Sequence, residues 1–232
     1  MKEMMLVVDV ETLGDVDSPL VYDLGLAVVV RATGEVVESH SLLMYETFCG
    51  MADAMASAYY AEKIPAYKRG INAGKHRIVR FWTARRMVRD LIAKYSIRRV
   101  YAYNMAFDRN ALNRTTRELS EGRVRWFFPF GVEYCCIWHM ACRSILRSRN
   151  YHNFCKKHGY VSKFGNYSTT AETAYAYISG ISHFEESHTG LEDVEIETAI
   201  FSAILKRKKR LYEKVWRGCW RAAQPPRKRK VA

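Results

Sequence analysis

Met4-Met5-Leu6-Val7-Val8-Asp9-Val10-Glu11 is an apolar run rich in β-branched residues that ends on two carboxylates two positions apart. A short continuous run of this kind reads as a strand buried on both faces. Side chains alternate along a strand, so Asp9 and Glu11 share one side of it. An Asp-x-Glu pair at a strand end is also ordinary turn chemistry, and its meaning depends on what else the chain brings to it.

Residues 22–31 (YDLGLAVVVR) and 35–44 (EVVESHSLLM) are two further strand-like runs separated by a Thr33-Gly34 turn, which predicts three consecutive antiparallel strands. The pattern then turns helical: Phe81, Met87, Val88, Leu91 and Ile92 recur at helix spacing, ahead of a short strand over 99–103 and a helix from about Ala106. Residues 136–146, 151–157 and 170–178 also read as helices. Thr189-Gly-Leu-Glu192 has the form of a capping box opening a last helix, with Ile196, Ile200, Ile204 and Leu211 inward and Pro225-Pro226 as its stop. The expected class is α/β, a mixed sheet of three antiparallel strands followed by parallel ones, flanked by helices, with a helix-rich C-terminal half.

With 232 residues, 49% of them apolar, the chain can bury one substantial core. The expected division is a domain over 1–205 and a basic helical extension over 206–232 whose Arg227-Lys-Arg-Lys230 end is disordered. The opening apolar run is too short for a signal segment, and no stretch of 18 uninterrupted apolar residues follows, so a soluble cytoplasmic protein without a membrane partner is expected. Its six cysteines are expected to be thiols.

The formal charge of +13 is uneven. Residues 206–232 carry 12 Lys/Arg against the single acid Glu213, residues 68–99 carry 11 against Asp90, and the rest of the chain is left at −8. Acidic clusters that hold cations beside basic segments that collect a polyanion would produce this distribution, and so would solvated basic faces. The helix carrying Arg85, Arg86 and Arg89 leads into the strand before Asn104, a placement suited to guiding a phosphate backbone.

Two more elements join Asp9 and Glu11. Tyr101-Ala-Tyr-Asn104-Met-Ala-Phe107-Asp108 is a strand followed at once by a helix, where Asn104 can be the N-cap and Asp108 a first-turn acid. In His188-Thr-Gly-Leu-Glu-Asp193 the capping pattern leaves His188 outside the helix and Asp193 about one turn inside it.

Asp-x-Glu on a first strand, Asn-x-x-Phe-Asp at a later strand–helix junction and His-x4-Asp on a last helix closely resemble, in order and topology, the DEDDh branch of the DnaQ-like exonucleases. The resemblance covers residues 1 to about 205 and extends to phage-type members. It implies a ribonuclease-H-like fold and 3'→5' exonuclease activity on single-stranded 3' ends of DNA or RNA, with DNA preferred on chain size, and a host-cytoplasmic setting if phage-encoded. Residue by residue it makes Asp9, Glu11, Asp108 and Asp193 metal ligands and His188 the general base. It further implies that Thr12, Leu13 and Phe107 line the pocket for the terminal nucleotide and that Asn104 positions substrate or motif. The chemistry of the residues agrees: converging acids repel unless a cation intervenes, and hard oxygen ligands suit two Mg²⁺ or Mn²⁺ ions.

Cys135-Cys136-x-x-His139-x-x-Cys142, with Cys155-x-x-His158 downstream, invites zinc, but the spacing matches no standard knuckle and the interleaved Ile137, Trp138, Ala141 and Ile145 favour a buried helix. Tyr59, Tyr60 and Tyr67 are candidates for stacking on bases. Asp23 and Glu192 read as structural acids, and the 225–230 tail resembles a nuclear-import signal as much as a nucleic-acid tether or a solubilising tail.

Overall fold

A computed structural model describes residues 2–14, 17–57, 61–185, 188–207 and 211–225 of the chain. Strands β1 (Met4–Leu13), β2 (Leu20–Val30) and β3 (Glu35–Met44) form the expected antiparallel meander. Helices α1 (Ala52–Ser57) and α2 (Ile64–Asn72) follow, then β4 (Arg77–Val79), which pairs in parallel with β3. Helix α3 (Phe81–Lys94), strand β5 (Arg99–Ala102) and helix α4 (Met105–Leu119) come next, with β5 parallel to β1. Strand β6 (Glu133–Cys136) pairs in parallel with β5 and runs into α5 (Ile137–Arg143), then α6 (Arg149–Lys157), α7 (Ala171–Ser179) and α8 (Gly190–Arg207). The sheet order is β4-β3-β2-β1-β5-β6.

The opening run is continuous because both sides of β1 are covered. Met5 and Val7 face a core completed by α5 through α8, while Leu6 and Val8 face a second core completed by α3 and α4. Asp9 and Glu11 keep the odd-numbered phase, so they emerge on the α8 side just where the strand outruns that core.

Three expectations need correction. Strands β4 and β6 are only three and four residues long, too short for a periodic signal, and β6 takes Cys136 from the helix expected over 136–146. Helix α8 is described to Arg207, so Leu211 is not on its stripe. Instead of a basic helical extension, residues 211–225 fold back on the body. Glu213, the one acid of that segment, takes a 2.8 Å ion pair from Arg31 and a short hydrogen bond from the Tyr101 hydroxyl. Its carbonyl accepts from Cys136 N–H at 2.8 Å, and Lys214 bridges Cys135, so this segment covers the edge of β6. The 226–232 tail, with the import-like motif, lies outside the described residues.

Candidate metal-binding active site

Helix α4 brings the first partner to Asp9 and Glu11. Its Asp108 is 3% exposed, one turn inside the helix, and accepts the Val10 N–H at 3.3 Å, between the two β1 acids. Asn104 occupies the cap position without a side-chain capping bond; its carbonyl takes the Phe107 N–H at 2.7 Å, and the side chain is left at the rim of a cavity.

The second partner depends on two glycines. Gly25 lies opposite Asp9 in the β1–β2 register, and a Cβ there would run into the Gly190 backbone, just as one on Gly190 would meet the backbone of Gly25. This contact seats the first turn of α8 directly on the sheet beside Asp9 and so delivers Asp193. Asp23, fully buried opposite Glu11, accepts the Gly190 N–H at 2.9 Å and the Tyr67 hydroxyl at 2.8 Å; burial holds its carboxyl above the ordinary range despite those bonds. Tyr67 also lies 3.3 Å from the His188 carbonyl. Preceding the helix, His188 has φ of 52°, a left-handed conformation unusual for a side chain of its size.

A cavity of about 500 Å³ opens between these elements. Asp9, Glu11, Asp108, Asp193 and His188 all line it, with Thr12, Asn104 and Phe107. Ligand atoms of Glu11, His188 and Asp193 lie within 4.8 Å of one another. The start of α7 also lines the cavity, where Thr170 caps the helix by accepting the Thr173 N–H. Leu13 does not line the cavity; it is 6% exposed in a small core with Tyr22, Leu43, Met55 and Tyr67.

Glu197 is a further cavity acid, outside the residues the motifs mark. It lies one turn beyond Asp193 on the inward face of α8, 3% exposed, and one oxygen accepts the Tyr103 N–H at 2.8 Å. The other oxygen is buried without a hydrogen-bond partner in the cavity wall. The available signal was its place in the stripe Asp193, Glu197, Ile200, Ile204, where an acid has no reason to be unless a counter-charge is near.

Burial pushes the Asp108 carboxyl up to about 8, and burial together with Asp9, Asp108 and Asp193 lifts Glu197 well above the usual carboxylate range. Desolvation holds His188 below an ordinary imidazole, against the pull of Glu172. Acids crowded and buried in this way are compatible as carboxylates when a divalent cation supplies the opposing charge. The oxygen-rich donor set and the orphaned Glu197 oxygen fit such an ion, with hard oxygens the ligands that Mg²⁺ and Mn²⁺ share.

Several other sequence candidates lie elsewhere. Tyr67 is 1% exposed and acts as an internal strut rather than a base-stacking surface, and Tyr59 and Tyr60 lie outside the described residues. Arg85 is engaged by loop carbonyls, at 2.9 Å to Phe127 and 3.1 Å to Trp126, and lines no part of the acidic cavity. Cys135, Cys136, Cys142 and Cys155 are buried in the core, and His139 Nδ1–H donates to the Lys214 carbonyl at 2.6 Å. No described helix is long and apolar enough to cross a membrane.

No protein-family model matches the chain, and no curated protein matches it in sequence. Solved structures do. The nuclease domain of 3'hExo, a DEDDh family member bound to rAMP, superposes with a TM-score of 0.54 at 13% identity, covering 92% of this chain and 96% of that one. A 3'-exonuclease in 3'-end-specific recognition of a histone mRNA stem-loop superposes with a TM-score of 0.55 at 14% identity, covering 92% and 85%. With the meander, the parallel strands and the cavity at the end of β1 already in place, these likenesses make the architecture that of the ribonuclease-H-like DEDDh nuclease domains.

Proposed function

We propose that the chain is a metal-dependent 3'→5' exonuclease that releases nucleoside 5'-monophosphates from single-stranded nucleic acid. The observation that carries this reading is the convergence of Asp9, Glu11, Asp108, Asp193 and His188, drawn from three distant segments, on one cavity in a DEDDh-type fold. Polarity of degradation follows from likeness to that fold rather than from the cavity's shape.

Asp9, Glu11, Asp108 and Asp193 are the residues to hold two Mg²⁺ or Mn²⁺ ions, which when bound neutralise developing charge on phosphate and acidify water. His188 takes the proton from the attacking water; its lowered proton affinity keeps it neutral and ready at pH 7. Phe107 and Thr12 offer a floor to the terminal nucleotide, and Asn104 at the rim offers an amide to its sugar or phosphate.

His188→Ala should keep metal binding by calorimetry while turnover, followed as mononucleotide release, falls by about 10²–10⁴-fold. Asp9→Ala should lose both. Unchanged turnover in His188→Ala would remove the base assignment.

The sequence favours DNA, whereas the solved neighbours are an rAMP complex and a histone mRNA recognition structure, which brings RNA forward as a second reading. Competition between DNA and RNA strands of equal sequence separates the two.

A further inference from the structure

A second groove, of about 750 Å³, runs along the other side of α4. Ala106, Arg109, Asn110, Asn113 and Arg117 form its floor at helix spacing, and the loop over 126–132, with Tyr134 of β6 and Arg217, forms its wall. None of the described residues that line it is acidic, in contrast to the cavity on the opposite stripe of the same helix. Beyond Phe130 the surface continues to Arg89, Arg125 and Arg123, the last shared with Glu121 at 3.3 Å.

The loop that walls the groove is built rather than slack. Asn113 accepts the Phe127 N–H at 2.9 Å, Arg85 takes the two carbonyls already described, and Phe127 and Phe128 are buried. Yet the same loop leaves Trp126 61% exposed and Phe130 fully so at 108%. Exposed aromatic rings gathered on one loop and rimmed by polar side chains mark an interaction site. Beside them, Arg109 stacks over the Tyr134 ring at 5.1 Å, and the side-chain amide of Asn110 is exposed.

Aromatic faces for bases, guanidinium groups for phosphates, and amides for base edges together are the requirements of a single-stranded nucleic acid. We propose that this groove binds the part of the substrate strand lying upstream of the 3' end, stacking bases on Trp126 and Phe130 and pairing phosphates with Arg109, Arg117 and Arg217. The inference rests on the exonuclease reading for its choice of strand, and its chemistry is independent of the metal site. From Ala106 to Arg117 the helix rises by about 16 Å. At about 3.4 Å per stacked nucleotide that is roughly five residues of strand, so short oligonucleotides should bypass the groove.

The test measures fluorescence anisotropy of labelled 15-mer and trimer strands on the full chain, with and without Mg²⁺, at several salt concentrations. Arg117→Glu/Arg217→Glu should weaken the 15-mer at least tenfold and flatten the dependence of log affinity on log salt by about 1.4. Trp126→Ala should weaken it by about tenfold at unchanged salt slope. Trimer binding should stay as it is, which separates a groove effect from misfolding, since all three side chains are exposed. Wild-type affinity and slope in these variants, equal loss for trimer and 15-mer, or displacement of the strand by polyglutamate at matched charge would each overturn the proposal. Mononucleotide release on the same samples tells the two readings apart. Groove-dependent binding without release leaves the groove standing and sinks the nuclease, while release indifferent to the groove variants does the reverse.

Discussion

Helix α4 separates two surfaces of opposite chemistry. Its inner stripe carries Asp108 into the acidic cavity, then Ala111, Leu112 and Thr115, the last accepting the Val21 N–H at 2.9 Å. Its outer stripe carries Arg109, Asn110 and Arg117. The cavity has to place buried charge, and three of its acids are set by neighbouring backbone: Asp108 by the Val10 N–H, Glu197 by the Tyr103 N–H, and Asp193 by the contact of Gly190 with Gly25 that seats its helix. The groove displays charge that water already solvates, and needs only a helix stripe and a tethered loop. The first should therefore fail abruptly on small changes and the second by increments.

The sharpest way to break that contrast is a single methyl group. Gly25→Ala places a Cβ against the Gly190 backbone, and α8 must lift from the sheet to admit it. Unfolding in denaturant should show a loss of about 3 kcal/mol or more. Metal binding by calorimetry should be lost with it, while 15-mer binding through the groove persists under conditions where the protein is folded. Retained stability and metal affinity would mean that Asp193 is positioned by something other than this glycine pair.

The glycine pair also marks what was legible in the sequence and what was not. The three long strands could be read because each is an unbroken run of about ten residues, and the five signature residues because their spacing survives in one dimension. Gly25 and Gly190 meet only in three dimensions, 165 positions apart, and nothing around either announces it. Glu197 lies beside the inward stripe of Ile196, Ile200 and Ile204, and its approach to Tyr103 exists only in the folded chain. Leu13 was placed in the pocket by resemblance, and its neighbours Tyr22 and Leu43 take it into the core instead. The charge run after 206 suggested a basic helical extension, and counting charges overlooks that one acid, Glu213, ties its described part to Arg31 and Tyr101.

A smaller effect distinguishes the surfaces by pH. Burial raises Asp108 to about 8 and lifts Glu197 and Asp23 above the carboxylate range, so the metal-free fold holds protons that the unfolded chain, with acids near pH ~4, has released. Stability should then fall as pH rises toward 8. His188 is shifted downward and contributes in the opposite sense only at mildly acid pH, which makes pH 7 to 8 the window to examine. Melting temperature in chelator should drop by several degrees across it, and Mg²⁺ or Mn²⁺ should abolish the drop. No acid lines the groove among the described residues, so 15-mer binding in chelator should stay nearly level. A flat melting profile in chelator would mean that the cavity acids are already ionised and compensated within the protein.

The smallest change concerns the strut behind the cavity. Tyr67 is not in contact with the cavity, yet its hydroxyl donates to Asp23 at 2.8 Å and lies 3.3 Å from the carbonyl of His188. His188 is held at φ 52°, which for a non-glycine residue costs on the order of 1 kcal/mol that the surroundings must offset. Tyr67→Phe keeps the ring against Tyr22, Phe48 and His76 and removes only the bond, so stability should fall by about 1 kcal/mol. Metal affinity should not move, because no ligand is touched. Turnover should fall by about tenfold, since relaxation of the His188 backbone swings the imidazole away from the water it deprotonates, and misplacement on the ångström scale costs up to about 10²-fold. Because the loss is of position rather than proton affinity, the acid limb of the pH–rate profile should stay where it is. Full turnover in Tyr67→Phe would show that the Gly190–Asp23 bond alone holds the loop, and a shifted acid limb would show that Tyr67 acts on His188 electrostatically rather than through its backbone.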